Sequence, residues 1–188
     1  MKFISRAILR LLGWRVDANL PAARKYVVIG AFHTSNWDFP LMLLLKSALG
    51  LKARWVGKHV LFRWPFGWLM RRLGGIPVDR RSPHKYVEQI VEAFRQRDEL
   101  VLVIAPEGTR KKTEYWKSGF YHIALGAGVP IALGFADYPS KVGGIGASFT
   151  PTGDLESDLA QIRAFYADKR GLRPELQGAI RIRPQPPA

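Results

Sequence analysis

Phe32-His33-Thr34-Ser35-Asn36-Trp37-Asp38-Phe39-Pro40 joins two patterns of different period. Before it, Lys25 to Ala31 (KYVVIGA) is rich in β-branched and aromatic residues and reads as a buried strand. After it, an apolar helical pattern runs from Pro40 to Leu49. Pro40 suits a first helical turn and Gly50 a C-terminal stop. A histidine and an aspartate lie at the junction with four residues between them. Open α/β sheets place their active sites where a strand gives way to a helix. A neutral imidazole held by a carboxylate keeps one nitrogen free as a base. Four His and eight Asp in 188 residues give about 0.2 pairs at this spacing by chance. The pair therefore draws its weight from its location. Taken singly, His33 reads as a hydrogen-bonded loop residue and Asp38 as a helix N-cap.

The rest of the chain alternates strand and helix patterns. Strands are expected at Arg54 to Gly57, Leu100 to Ala105, Val129 to Phe135 and Val142 to Phe149, with a last edge strand at Ala179 to Ile182. Helices are expected at Pro83 to Arg97, Gly119 to Ala127 and Leu155 to Lys169. Val60 to Leu73 is broken by Pro65 and Gly67 into two short helical pieces, and its many apolar residues form either core or a greasy surface for lipid, with core expected for most. Such alternation argues one α/β domain, a mainly parallel mixed sheet flanked by helices. Residues 1–20 carry an amphipathic helix, 21–183 the domain and 184–188 a Pro-rich tail. On the helix, Phe3, Ile4, Ala7, Ile8, Leu11, Leu12 and Trp14 face one way, and Lys2, Arg6 and Arg10 the other. That pattern fits an anchor in a membrane interface, and equally a helix packed on the core with a solvated basic side.

The formal charge is +14, from 29 Lys and Arg against 15 Asp and Glu. It favours an anionic partner: nucleic acid, an acidic membrane surface or a phosphorylated substrate. A hydrophobic content of 47% argues against disorder. The absence of cysteine removes disulfides, thiolate metal sites and a cysteine nucleophile. No apolar run approaches the roughly 20 residues of a spanning helix, and no secretory signal is expected.

A second polar cluster, Glu107-Gly108-Thr109-Arg110, also follows a strand. Gly108 permits a tight turn, and Thr109 and Arg110 can donate to an anion. On its own the tetrapeptide reads as a surface turn with a salt bridge. There is no G-x-S-x-G elbow, P-loop, G-x-G-x-x-G or H-E-x-x-H. His59, His84 and His122 show no ligand spacing, so no metal is expected.

The order of these blocks resembles the lysophospholipid and glycerol-phosphate acyltransferase family, the group that includes 1-acylglycerol-3-phosphate acyltransferase. The blocks are HTSNWD (His33 to Asp38), GGIPVDR (Gly74 to Arg80), PEGTR (Pro106 to Arg110) and the V-P-I segment Val129 to Ile131. The resemblance covers residues 25 to 135. It implies transfer of a fatty acyl group from acyl-CoA or acyl-carrier protein to a hydroxyl of a lysolipid, with no bound cofactor. By position, His33 would be the general base and Asp38 its orienting partner. Glu107, Gly108, Thr109 and Arg110, with Arg80, would hold the acceptor's polar or phosphate head. Backbone N–H groups near the following helix would serve the oxyanion. Phe32 stands where many members carry Asn, and Pro77 and Val78 where Ile or Phe is common, which leaves the acceptor open. The implied setting is the cytoplasmic side of a membrane, peripheral or monotopic, on an anionic surface. The rival readings are a basic nucleic-acid-binding domain, for which no RRM, OB, KH or helix-turn-helix signature is found, and an inactive lipid-binding relative.

Overall fold

The run KYVVIGA forms a central strand of a seven-stranded sheet. The computed structural model describes residues 2–78 and 83–183. In chain order these give α1 (Lys2–Leu11), β1 (Arg15–Ala18), β2 (Lys25–Ala31), α2 (Asp38–Leu49) and β3 (Arg54–Lys58). A 3-10 turn (His59–Phe62), α3 (Gly67–Arg72), β4 (Gly75–Val78), α4 (Pro83–Arg95) and β5 (Leu100–Ile104) follow. Then come α5 (Gly119–Ala127), β6 (Ile131–Asp137), β7 (Val142–Phe149), α6 (Leu155–Tyr166) and a 3-10 turn (Pro174–Leu176). The strand order is β1-β7-β6-β2-β5-β3-β4. All neighbours run parallel except β6 and β7, so the sheet is mainly parallel and mixed, in a single α/β domain.

Period-2 alternation sends the strands' side chains to two helical layers. Val27, Ile29, Leu102, Ile131 and Leu133 meet Ile90 and Phe94 of α4, Phe120 and Ile123 of α5, and Ile162 and Tyr166 of α6. On the other face Tyr26, Val28, Ala132 and Ile145 form a smaller cluster. Leu9 of α1, Trp14, and Leu41, Leu45 and Ala48 of α2 pack together beside it.

The direction of the strands sets what shares an edge. β2, β5, β3 and β6 all deliver the chain to the same side. β7 turns back, and β1 follows β7, pairing Arg15 with Val142, itself opposite Asp137. Trp14 therefore sits at the edge where β2, β5 and β6 end.

Several expectations need correction. β1 is a strand the sequence reading did not anticipate, because four residues, RVDA, carry almost no pattern. Ala179 to Ile182 adds no strand to the sheet, since only Ile182 bridges, to Trp116. In the 60–73 segment Phe62 is buried, but Val60, Leu61, Trp64, Phe66 and Trp68 are exposed, Trp64 at 94%. The structure does not support a core role for them. α1 also keeps its apolar face outward. It packs on α2 through Leu9 and the Ser5–Ser47 hydrogen bond (2.8 Å), and the Arg6 Nε donates to the Ala48 carbonyl (3.1 Å). Phe3 and Leu11 are 82% and 88% exposed.

β1 docks against a strand with a glycine at the contact. Gly144 has φ +146°, and a Cβ there would overlap the Asp17 carbonyl oxygen. Gly144→Ala is expected to lower unfolding free energy in urea by roughly 2 kcal/mol. Gly119→Ala, where a methyl meets nothing within 4 Å, should stay within about 0.5 kcal/mol. Equal effects in the two variants would remove that contact as the limit on β1 docking.

Candidate active site

The loop leaving β2 closes on the first residue of α2. His33 Nδ1 lies 3.1 Å from Asp38 Oδ2. The same oxygen accepts from the backbone N–H groups of Thr34 (2.9 Å) and Ser35 (2.8 Å). The other oxygen, Oδ1, accepts from the Tyr138 hydroxyl at 2.7 Å. Burial pushes the Asp38 carboxyl up, but bonds from His33, Tyr138 and Ser35 and the His33 charge outweigh it and hold it below the ordinary value. Asp38 is therefore ionised at neutral pH and can only accept. For that contact to be a hydrogen bond the His33 proton belongs on Nδ1, which leaves the Nε2 lone pair free. Asp38 is not the N-cap expected from the sequence. The capping position is Trp37, whose side chain makes no cap bond, and the carboxylate instead folds the preceding loop.

Glu107 approaches from the neighbouring strand. β2 and β5 pair in register, Ile29 opposite Ile104, which brings the loops after them together. Glu107 Oε2 accepts from the His33 backbone N–H at 2.8 Å. Burial raises its pKa to about 7; the His33 N–H and the His33 charge moderate the rise, and the Asp38 charge adds to it. At 5% exposure it lies beneath the histidine loop. The next residues form a turn, with Gly108 at φ +63° and its N–H donating to the Ala105 carbonyl (3.0 Å). Thr109 Oγ1 accepts from the Lys111 N–H (3.2 Å), and Arg110 is exposed. Thus His33, Asp38 and Glu107 touch, and Gly108, Thr109 and Arg110 continue from the last of them. Arg80 lies outside the described residues.

Two findings depart from the sequence reading. The amides of Thr34, Ser35 and Trp37 already donate within the loop and that of His33 to Glu107, so these four do not form an oxyanion site. Tyr138, in the turn between β6 and β7, was not anticipated, since no local spacing reports a contact across 100 residues.

A cavity of about 350 Å³ opens beside Phe32, the residue before His33, and Arg163, Tyr166, Arg170 and Gln177 help line it. Among the described residues no three His, Cys, Asp or Glu side chains gather as a metal site requires. No described helix is long and apolar enough to cross a membrane.

Comparison with known proteins identifies the family. A family model described as Acyltransferase matches residues 15–132. The 1-acyl-sn-glycerol-3-phosphate acyltransferase of Salmonella typhimurium is 31% identical over 131 residues, covering 64% of this chain and 52% of its own. That of Haemophilus influenzae is 30% identical over 131 residues, covering 64% and 53%. The chain thus spans about half the length of these curated relatives. The crystal structure of the 1-acyl-sn-glycerophosphate acyltransferase of Thermotoga maritima superposes with a TM-score of 0.57 at 19% identity, covering 87% of this chain and 74% of that one, and so shares the fold. With more than half its length matched to the family and its histidine and aspartate joined at the sheet edge, the chain belongs to the acyltransferase family.

Proposed function

We propose that this chain moves a fatty acyl group from a thioester donor, acyl-CoA or acyl-carrier protein, to a hydroxyl of a lysophospholipid or similar lysolipid. The observation that carries the proposal is the contact of His33 Nδ1 with Asp38 at the edge of the sheet, which supports reading Nε2 as the base. The acceptor hydroxyl gives its proton to Nε2 as its oxygen attacks the thioester carbonyl. The new C–O bond forms, the C–S bond breaks, and the imidazolium returns the proton to the leaving thiolate. Asp38, ionised and fixed by backbone amides, stabilises the imidazolium between those events. No acyl-enzyme is required. Glu107 holds the histidine loop from below. Thr109, Arg110 and Arg80 are assigned to the acceptor head, and Arg163 and Arg170 give the cavity beside Phe32 a cationic lining suited to phosphate.

The substrate is proposed to arrive from an anionic membrane surface. Its support is the outward apolar face of α1 together with Trp64, Phe66 and Trp68, in a chain of charge +14. Exposed apolar patches of this size suit lipid better than a nucleic acid backbone.

The reaction class is tested with a labelled acyl thioester and a panel of lysolipids. His33→Ala is expected to reduce transfer about 10²- to 10⁴-fold with the fold intact. Retained turnover in a folded variant would sink the general-base assignment. For the membrane surface, the full chain should sediment with anionic vesicles, and Phe3→Ser/Leu11→Ser should weaken partition tenfold or more, by about 1.4 kcal/mol at least. Unchanged partition would exclude α1 as the lipid contact. Tight nucleic acid binding at matched salt by a chain that ignores vesicles would favour the rival reading. Glu107 makes a separate prediction. Its folded pKa, about 7, exceeds the ordinary 4.5, so the folded state holds its proton more tightly than the unfolded state does. Its contribution to stability is fully present below the lower value and is lost as pH rises through the upper one. The stability of wild type relative to Glu107→Gln should therefore fall by roughly 3 kcal/mol between pH 4 and 8. A difference that does not vary with pH would refute the raised pKa.

A further inference from the structure

Asp38 can help His33 only while its carboxylate plane keeps one oxygen turned toward the imidazole. The loop secures one side, since Oδ2 accepts from Thr34 and Ser35 as well as from His33. The other side is secured from a distant part of the chain, by the Tyr138 hydroxyl on Oδ1. Donors on both oxygens stop rotation about the Cβ–Cγ bond, which either set alone would restrain less.

Tyr138 is itself held on two sides. Its backbone N–H donates to the Arg170 carbonyl (2.9 Å), just beyond α6. Its ring meets Trp14 edge to face, with centroids 5.1 Å apart and planes at 88°. Trp14 lies between α1 and β1 and packs with Leu9, Leu41 and Leu45. Asp38 therefore leans on Tyr138, and Tyr138 on the segment that bears the outward-facing apolar helix.

We propose that Tyr138 is a positioning residue for the His33–Asp38 pair, and that Trp14 holds it in place. The inference rests on the acyl-transfer reading for its kinetic consequence, but its structural claim stands apart from it. The titratable groups around the carboxylate are His33, Glu107 and Tyr138. Burial raises the Tyr138 hydroxyl well above its usual range, and the bond to Asp38 raises it further, so it remains a neutral donor.

The test is Tyr138→Phe, which keeps the ring and removes one donor. Carbon-13 NMR of the Asp38 carboxylate should show its titration midpoint moving up. With the best acceptor, kcat should fall about tenfold while KM stays within twofold. An unmoved midpoint with unchanged kcat would overturn the proposal. A rise in KM at constant kcat would also overturn it, by placing Tyr138 on the substrate. If Tyr138→Phe does not fold, Tyr138→3-fluorotyrosine keeps the ring and strengthens the donor, and the midpoint should then move down; no movement would again overturn the proposal. If wild type transfers nothing to any acceptor, the acyl-transfer reading fails, while the carboxylate midpoint still decides the role of Tyr138.

Discussion

One carboxylate gathers the site. Asp38 collects donors from His33, from two consecutive amides and from Tyr138, and each bond serves a different level of the structure. The amide bonds shape the loop between β2 and α2. The bond to His33 selects its tautomer. The bond to Tyr138 joins that loop to the hairpin of β6 and β7. A charge this well satisfied is held ionised despite its burial, because desolvation is more than offset by fixed dipoles. Had the carboxyl been left unpartnered in the same place, it would have taken up a proton and lost its hold on the imidazole.

The legible parts of the fold are those with local causes. KYVVIGA announced a central strand through its β-branched run, and Gly50 ended α2 in the left-handed conformation expected of a C-terminal glycine. His33 and Asp38 were visible because five positions of chain suffice to join them. What was hidden depends on partners far off in sequence. β1 has no pattern of its own and exists because Gly144 lets it approach β7. The exposure of Trp64 and Trp68 was hidden as well, since apolar composition alone does not say whether a side chain faces core or surface. Glu107 was legible as a member of a polar turn, but its place beneath His33 follows from the register of β2 with β5.

The surface inverts the usual allocation of residues. α1 buries Ser5 and presents Phe3, Ile4 and Leu11. It meets α2 through buried Leu9, a hydroxyl pair and an arginine on the Ala48 carbonyl, contacts that hold the helix in place while leaving most of its apolar side exposed. Across the sheet, the aromatic segment after β3 leaves from the same edge as His33, because β3 and β2 run in the same direction through β5. The aromatic segment and the histidine loop thus leave the sheet on one side.

The β6–β7 hairpin also bears on how the molecule assembles. The pair His33 and Asp38 spans five positions, whereas the bond that steadies it spans 100. Closing a short loop takes little entropy; bringing residue 138 to residue 38 waits on β6 pairing with β2. The histidine turn can therefore close locally with its carboxylate held on one side only. The pairing of His33 with Asp38 is thus a local matter, while the restraint on the far side of the carboxylate depends on the assembled sheet.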